Sequence, residues 1–318
     1  MPNPLEQVFN TGCLAAPDKI VVATDLTDIQ FLLPHAIAQA KTSHASLHIL
    51  HAIHTNEVFV PESGMVPFID PVKAARDARV EMEVIARQVR ANDVECSTAV
   101  RHGVPADVIA EMVGEIGAGR VIIRTHGRTG LKRLFLGATA LEILKKVEVP
   151  VCTIGPHCPA PAASGIRSVL HPTSLGPDCR VSSRLALDLA QSYRAELTLL
   201  HVLTNDFAAR PYLEPLHAVQ RLESLLPSSV GDLWTPVRTR LVPGDLRDEI
   251  LLAAQETHAD LIVLGISIPD SVWKGGSGET AYAIVASAGC PVLSFRTPAS
   301  RLDVEEIDRD LCSVAIRL

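Results

Sequence analysis

The nine residues KIVVATDLT at 19–27 return, in altered letters, as RSVLHPTSL at 167–175. Each is a short β-prone run that passes into a turn rich in hydroxyl side chains. More matches follow in the same order. ASLHILHAI at 45–53 parallels AELTLLHVL at 195–203, and GVPADVIAEM from Gly103 parallels PGDLRDEILL around Gly244. The apolar run of VIIRTHG from Val121 parallels Ile262–Leu264, and VPVCTI from Val149 parallels CPVLSF from Cys290. Asp25 and Ser174 are 149 positions apart, and His51 and His201 are 150 apart. Gly103 and Gly244, Gly137 and Gly278, and Pro150 and Pro291 are each 141 apart. Between its second strand and its third helix the second copy is shorter by nine residues, and matches in one order with that deletion indicate a duplicated unit.

The first copy reads as alternating strands and helices. Ile20–Thr24, Ser46–Ile53, Val94–Arg101, Arg120–Arg124 and Val149–Ile154 are the predicted strands. Thr27 with Gln30 three positions later has the form of a capping box. Ile29, Leu33, Ala36, Ile37 and Ala40 then keep helical spacing, with Pro34 as a local break or first-turn residue. Pro61, Gly64, Pro67 and Pro71 predict a loop over 54–71, followed by a charged helix over Val72–Ala91. Pro105 opens a third helix with an apolar stripe of Val108, Ile109, Met112, Val113 and Ile116. Gly137–Lys146 carries the last one. This alternation predicts an α/β chain with two tandem doubly wound domains, each a parallel five-stranded sheet of order 3-2-1-4-5. The expected division is a first domain at 1–154, a Pro/Ala/Ser/Gly-rich linker at 155–165, a second domain at 166–297 and a C-terminal tail at 298–318.

Composition narrows the function. The 318 residues are 47% hydrophobic, enough for two cores, yet only 4% aromatic, and the net charge is −7. An acidic chain with few aromatics lacks the basic stripe and stacking platform of a nucleic-acid binder, so nucleic acid is excluded as the main partner. No apolar run reaches the length of a membrane span, and residues 1–17 do not resemble a signal peptide, so a cytoplasmic protein without membrane partners is expected. The seven cysteines are scattered and form no C-x-x-C pair, as in a reducing compartment. Cys152, His157 and Cys158 have irregular spacing and no fourth ligand, so no metal is expected. His51 and His201, at equal places in the two copies, read as core or pocket-wall residues.

In a sheet of this order the ligand crevice lies where strand order reverses, between the ends of strands 1 and 4. Asp25 ends the first of these, and Ile123 and Arg124 end the other. VVATDLT, LHILHA and THGRTGLKRLFLGAT resemble the universal stress protein family, and the resemblance covers nearly the whole chain twice. It implies a flavodoxin-like or Rossmann-like fold, and in ATP-binding members a loop of the form G-x-x-G, nine residues, then G-[ST]. Glycines let backbone N–H groups close on phosphate, and the helix that follows attracts the anion. In the first copy Gly127 and Gly137 match that pattern, Arg124 replaces the first glycine, Ala138 replaces the hydroxyl residue, and Thr139 offers a hydroxyl one position late. The resemblance puts Asp25 on the adenosine side and Ala52 beside the base. Arg124 either blocks the pocket or binds phosphate. His126, Arg128, Lys132 and Arg133 are candidate phosphate contacts. The second copy keeps the spacing at Gly265, Gly278 and Thr280, but Ile268 replaces a glycine, Glu279 puts a carboxylate at the helix start and Ser174 replaces the acid, so this site is degenerate.

The resulting expectation is a stress-response regulator, not an enzyme, with an adenine-nucleotide site of ATP type in the first copy. The alternative is a nucleotide-independent interaction module for a protein or another small ligand. A slow ATP hydrolase ranks last, because Asp25 is the one evident acid of the crevice. A phospho-receiver is excluded by strand 3, which ends in VRHG without an aspartate. The resemblance also implies pairing through the last strand of each repeat, which the two repeats can make within one chain as a pseudo-dimer; further homodimerisation and an unidentified protein partner are expected as well.

Overall fold

Short runs of aliphatic and β-branched residues form the central strands here because both faces of those runs are buried under helices. The computed structural model describes residues 14–53, 71–125, 137–176, 179–204, 215–226, 235–267 and 277–297. The first repeat comprises β1 (Lys19–Ala23), α1 (Ile29–Ser43), β2 (Ser46–Ile53), α2 (Pro71–Arg90), β3 (Cys96–His102), α3 (Pro105–Ile116), β4 (Arg120–Arg124), α4 (Ala138–Lys146) and β5 (Val151–Ile154). The second comprises β6 (Ser168–Pro172), α5 (Cys179–Tyr193), β7 (Glu196–Leu203), α6 (Pro215–Ser224), β8 (Val237–Pro243), α7 (Leu246–Glu256), β9 (Leu261–Ser267), α8 (Ser277–Ser287) and β10 (Val292–Thr297). The predicted tail at 298–318 and most of the predicted loop at 54–71 lie outside the described residues.

The expectation of two separate five-stranded sheets is corrected. There is one sheet of ten strands, in the order β3-β2-β1-β4-β5-β10-β9-β6-β7-β8. Each half keeps the predicted internal order with parallel neighbours. The halves join where β5 and β10 pair antiparallel, with Val292 opposite Thr153, Leu293 opposite Cys152 and Ser294 opposite Val151. Thr153 Oγ1 donates to the Val292 carbonyl at 3.1 Å beside this ladder. The physical cause is edge satisfaction. All four residues of β5 are buried, so an unpaired outer edge would leave peptide groups without partners.

One face of the sheet shares a core across the seam. Leu32 and Ala36 of α1, Met82 of α2 and Leu185 and Leu189 of α5 pack with strand residues of both halves, among them Ile122, Cys152, Leu293 and Phe295. On the other face each half keeps its own core, under α3 and α4 in the first and under α7 and α8 in the second.

Local details differ from the capping expectation. Asp28, not Thr27, is the N-cap of α1, and its side chain makes no cap bond. The Thr27 hydroxyl instead donates to Asp25 Oδ1 at 2.8 Å, because the preceding carboxylate is closer than the helix amides. Pro34 lies inside α1. The duplication is visible in backbone strain. Gly103 and Gly244, 141 apart, sit at φ 142° and 153° before α3 and α7. A Cβ there would lie 2.8 Å from Val108 Cγ2 and 2.6 Å from Glu249 Cγ respectively.

The seam also holds a cation. Arg120, at the start of β4, is fully buried, and its counterpart 141 positions on is Leu261. Its guanidinium donates to Gln39 Oε1 at 2.9 Å, to the Tyr193 hydroxyl of the second repeat at 3.1 Å, and to the carbonyls of Leu14 and Ala15 at 3.0 and 3.1 Å. Its Nε has no partner. Four acceptors depend on this one donor group, so Arg120→Met should cost about 2–3 kcal/mol, while Tyr193→Phe, which leaves one N–H of the buried guanidinium without its acceptor, should cost about 1–2 kcal/mol. The midpoint of urea unfolding checks both. An unchanged midpoint for Arg120→Met would show that relief from burying the charge offsets the lost bonds.

Candidate ligand-binding site

Strand order reverses between β1 and β4, so the loops leaving their carboxyl ends diverge and open a crevice. The β1–α1 loop is held by its own polar side chains. Thr24 Oγ1 donates to Asp28 Oδ1 at 2.6 Å and accepts from the Leu26 amide at 2.9 Å. Asp25 Oδ1 accepts from the amide and the hydroxyl of Thr27, at 3.0 and 2.8 Å. These bonds hold Leu26 at φ 74°, a left-handed conformation that a leucine adopts only under such constraint. The end of β2 is tied in as well, since His51 Nδ1 donates to the Thr24 carbonyl at 2.9 Å.

A cavity of about 260 Å³ occupies the crevice. Asp25, Ala52, Ile123, Arg124, Gly137, Ala138 and Thr139, singled out from sequence, all line it. Gly127, His126, Arg128, Lys132 and Arg133 lie outside the described residues. Sequence reasoning missed Thr24, Asp28 and Leu50, which also line the cavity. The signal for Asp28 was present in the string TDLTD, where a second acid follows the first by three positions.

The cavity is electrically two-sided. Asp25 and Asp28 stand at one wall. The start of α4 also lines it, where Gly137 is the N-cap and supplies no side-chain bond, which leaves the first-turn amides as a partial positive charge. The Arg124 guanidinium lies over the Phe31 ring of α1, 3.7 Å from its centroid.

The second repeat keeps the loop and changes its chemistry. Leu175 sits at φ 57°, the Leu175 amide donates to Thr173 Oγ1 at 3.3 Å, and His201 Nδ1 donates to the Thr173 carbonyl at 2.8 Å. Ser174, in place of Asp25, accepts from the Gly176 amide at 3.2 Å. Gly265 lies within β9, and α8 begins at Ser277, so Gly278 and Thr280 fall in its first turn.

A sequence profile described as the universal stress protein family matches residues 17–154 and again 165–296. Among individual relatives, a universal stress protein of Methanocaldococcus jannaschii is 27% identical over 138 residues, 43% of this chain and 81% of that one. Universal stress protein E of Photorhabdus laumondii is 38% identical over 69 residues, 21% of this chain and 22% of its own length. The crystal structure of a universal stress protein from Archaeoglobus fulgidus superposes with a TM-score of 0.69. That match covers 91% of this chain and 100% of the other at 16% identity, so the likeness is one of fold.

Beside the second crevice, His171 of β6 occupies the position that Val22 holds in β1. It is fully buried, Nδ1 donates to the Val263 carbonyl at 2.8 Å, and Nε2 has no partner. Burial lowers its pKa to about 4, because a second ring proton would find no acceptor. The folded protein therefore resists a proton that the unfolded chain takes up near pH 6.5. Stability from this residue is complete above that pH and falls toward pH 4, by about 3 kcal/mol in the limit. Unfolding midpoints measured from pH 7.5 to 4 should decline in the native chain and decline less in His171→Val. Equal slopes would place the acid sensitivity elsewhere.

Proposed function

Because the chain belongs to the universal stress protein family, twice within one polypeptide, we propose that its first repeat binds an adenine nucleotide of ATP type and that the protein acts as a stress-response regulator. One observation carries this reading: Asp25, Ala52 and Ile123 converge with Arg124, Gly137, Ala138 and Thr139 on one cavity at the strand-order reversal. The acidic wall suits the hydroxyl and amino donors of a nucleoside, and the uncapped start of α4 suits phosphate. The second repeat, with Ser174 in place of the acid, is read as degenerate, giving one site per chain.

We read the site as one for binding, not turnover, since Asp25 and Asp28 are engaged in holding the β1–α1 loop. The second reading is an interaction module without nucleotide, favoured by Ala138, which brings no hydroxyl to the start of α4. We divide the chain into domains at 1–154 and 166–297 with 155–165 between them. Last-strand association is assigned within the chain, because β5 and β10 each already have two neighbours and offer a second copy no open edge. Among the described residues no helix is long and apolar enough to cross a membrane. We place the protein in the cytoplasm.

Titration calorimetry with ATP tests the site. The native chain should take up one equivalent. Asp25→Ala should weaken binding about tenfold or more, and Ala138→Ser should tighten it about tenfold at most. No binding by the native chain or by Ala138→Ser would remove the nucleotide reading in favour of the interaction module.

A further inference from the structure

We propose that Arg124 is the residue by which the first-repeat cavity separates an anionic nucleotide from an uncharged nucleoside, and that Phe31 holds its guanidinium in reserve until the anion arrives. This inference rests on the nucleotide reading above and adds the specificity of that site.

Arg124 closes β4 and lines the cavity. Its guanidinium carbon lies 3.7 Å from the centre of the Phe31 ring. Phe31 is in the first turn of α1, and its amide donates to the carbonyl of Asp28, itself a cavity residue. Through Arg124 the stack adjoins the site. Phe31 is 47% exposed, an uncommon position for a phenylalanine, and the contact with Arg124 gives it a role.

Two carboxylates line the same cavity, yet among the described residues no ion pair joins either of them to Arg124. The loop explains this. Asp28 Oδ1 accepts from Thr24 and Asp25 Oδ1 accepts twice from Thr27, so both acids are already directed into the β1–α1 turn. The guanidinium takes the aromatic face instead.

Magnitudes then favour transfer. A cation–π contact at a half-exposed ring is worth about a two- to fivefold preference. A charge-assisted hydrogen bond to a phosphate oxygen is worth about tenfold or more, and the planar fork of arginine makes two at once. An anionic ligand wins the side chain from Phe31, whereas adenosine leaves it in place. The pair is confined to the repeat that carries the cavity. Gly265 stands where the second repeat would have Arg124, and Arg180 stands where it would have Phe31.

Calorimetry with ATP and with adenosine on the full chain tests this in three proteins: native, Arg124→Met and Phe31→Leu. Thermal unfolding of each confirms that the partly exposed substitutions leave the fold intact. The native chain should prefer ATP. Arg124→Met should lose about tenfold or more of ATP affinity with adenosine unchanged, and Phe31→Leu should gain about two- to fivefold for ATP alone. Adenosine binding with an ATP-to-adenosine ratio that is the same in native and Arg124→Met would overturn the role of Arg124 and leave the nucleotide site standing. Equal loss of both ligands in Arg124→Met would also overturn it, since the residue would then only shape the pocket. Absence of both ligands from the native chain would overturn the nucleotide reading and this inference together.

Discussion

The antiparallel pairing of β5 with β10 is the contact on which the rest of the molecule depends. Each half alone would end in a short buried strand with one unpaired edge, an arrangement that exposes peptide groups and invites aggregation. Joining the two edges satisfies both and turns two sheets into one. It also lets the helices α1, α2, α5 and α6 cover a single core, in which Cys152 and Ile154 of β5 meet Leu293 and Phe295 of β10. Arg120 follows from the same constraint. A guanidinium survives without water at this depth only because residues from both repeats and the carbonyls of Leu14 and Ala15 converge on it.

What the two repeats share and what they do not share divides along physical lines. Leu26 and Leu175 are both held at positive φ, His51 and His201 both tie the second strand to the first loop, and Gly103 and Gly244 both open a helix where a side chain would collide. These are steric and backbone features of the shared loop paths. Asp25 against Ser174, Arg124 against Gly265 and Val22 against His171 differ in side-chain chemistry, although Asp25 and Ser174 each still accept from a backbone amide two positions on.

The first crevice illustrates how little of a site need be spent on the fold. Thr24 and Thr27 anchor the two carboxylates, and apart from Arg124 and Thr139 the remaining cavity wall, from Ala52 and Ile123 to the start of α4, is small or aliphatic surface.

The amino-acid sequence by itself determined the duplication, the parallel order within each half and seven of the residues that line the first crevice. It could do so because these rest on local periodicity, on fixed offsets between repeats and on loops that leave adjacent strand ends. Ser46–Ile53 and Arg120–Arg124 emerge at their read boundaries for this reason, since a run buried on both faces announces itself by composition. The cap of α1 was misread by one residue, because Asp25 competes for the Thr27 hydroxyl and such side-chain competition has no periodic signature. Only the tertiary structure decided that the two sheets are one, that Arg120 lies buried at their seam and that Arg124 rests on Phe31. Each of these joins residues far apart in the chain, and edge satisfaction and charge burial are settled by what happens to lie alongside after folding, not by the neighbours in sequence.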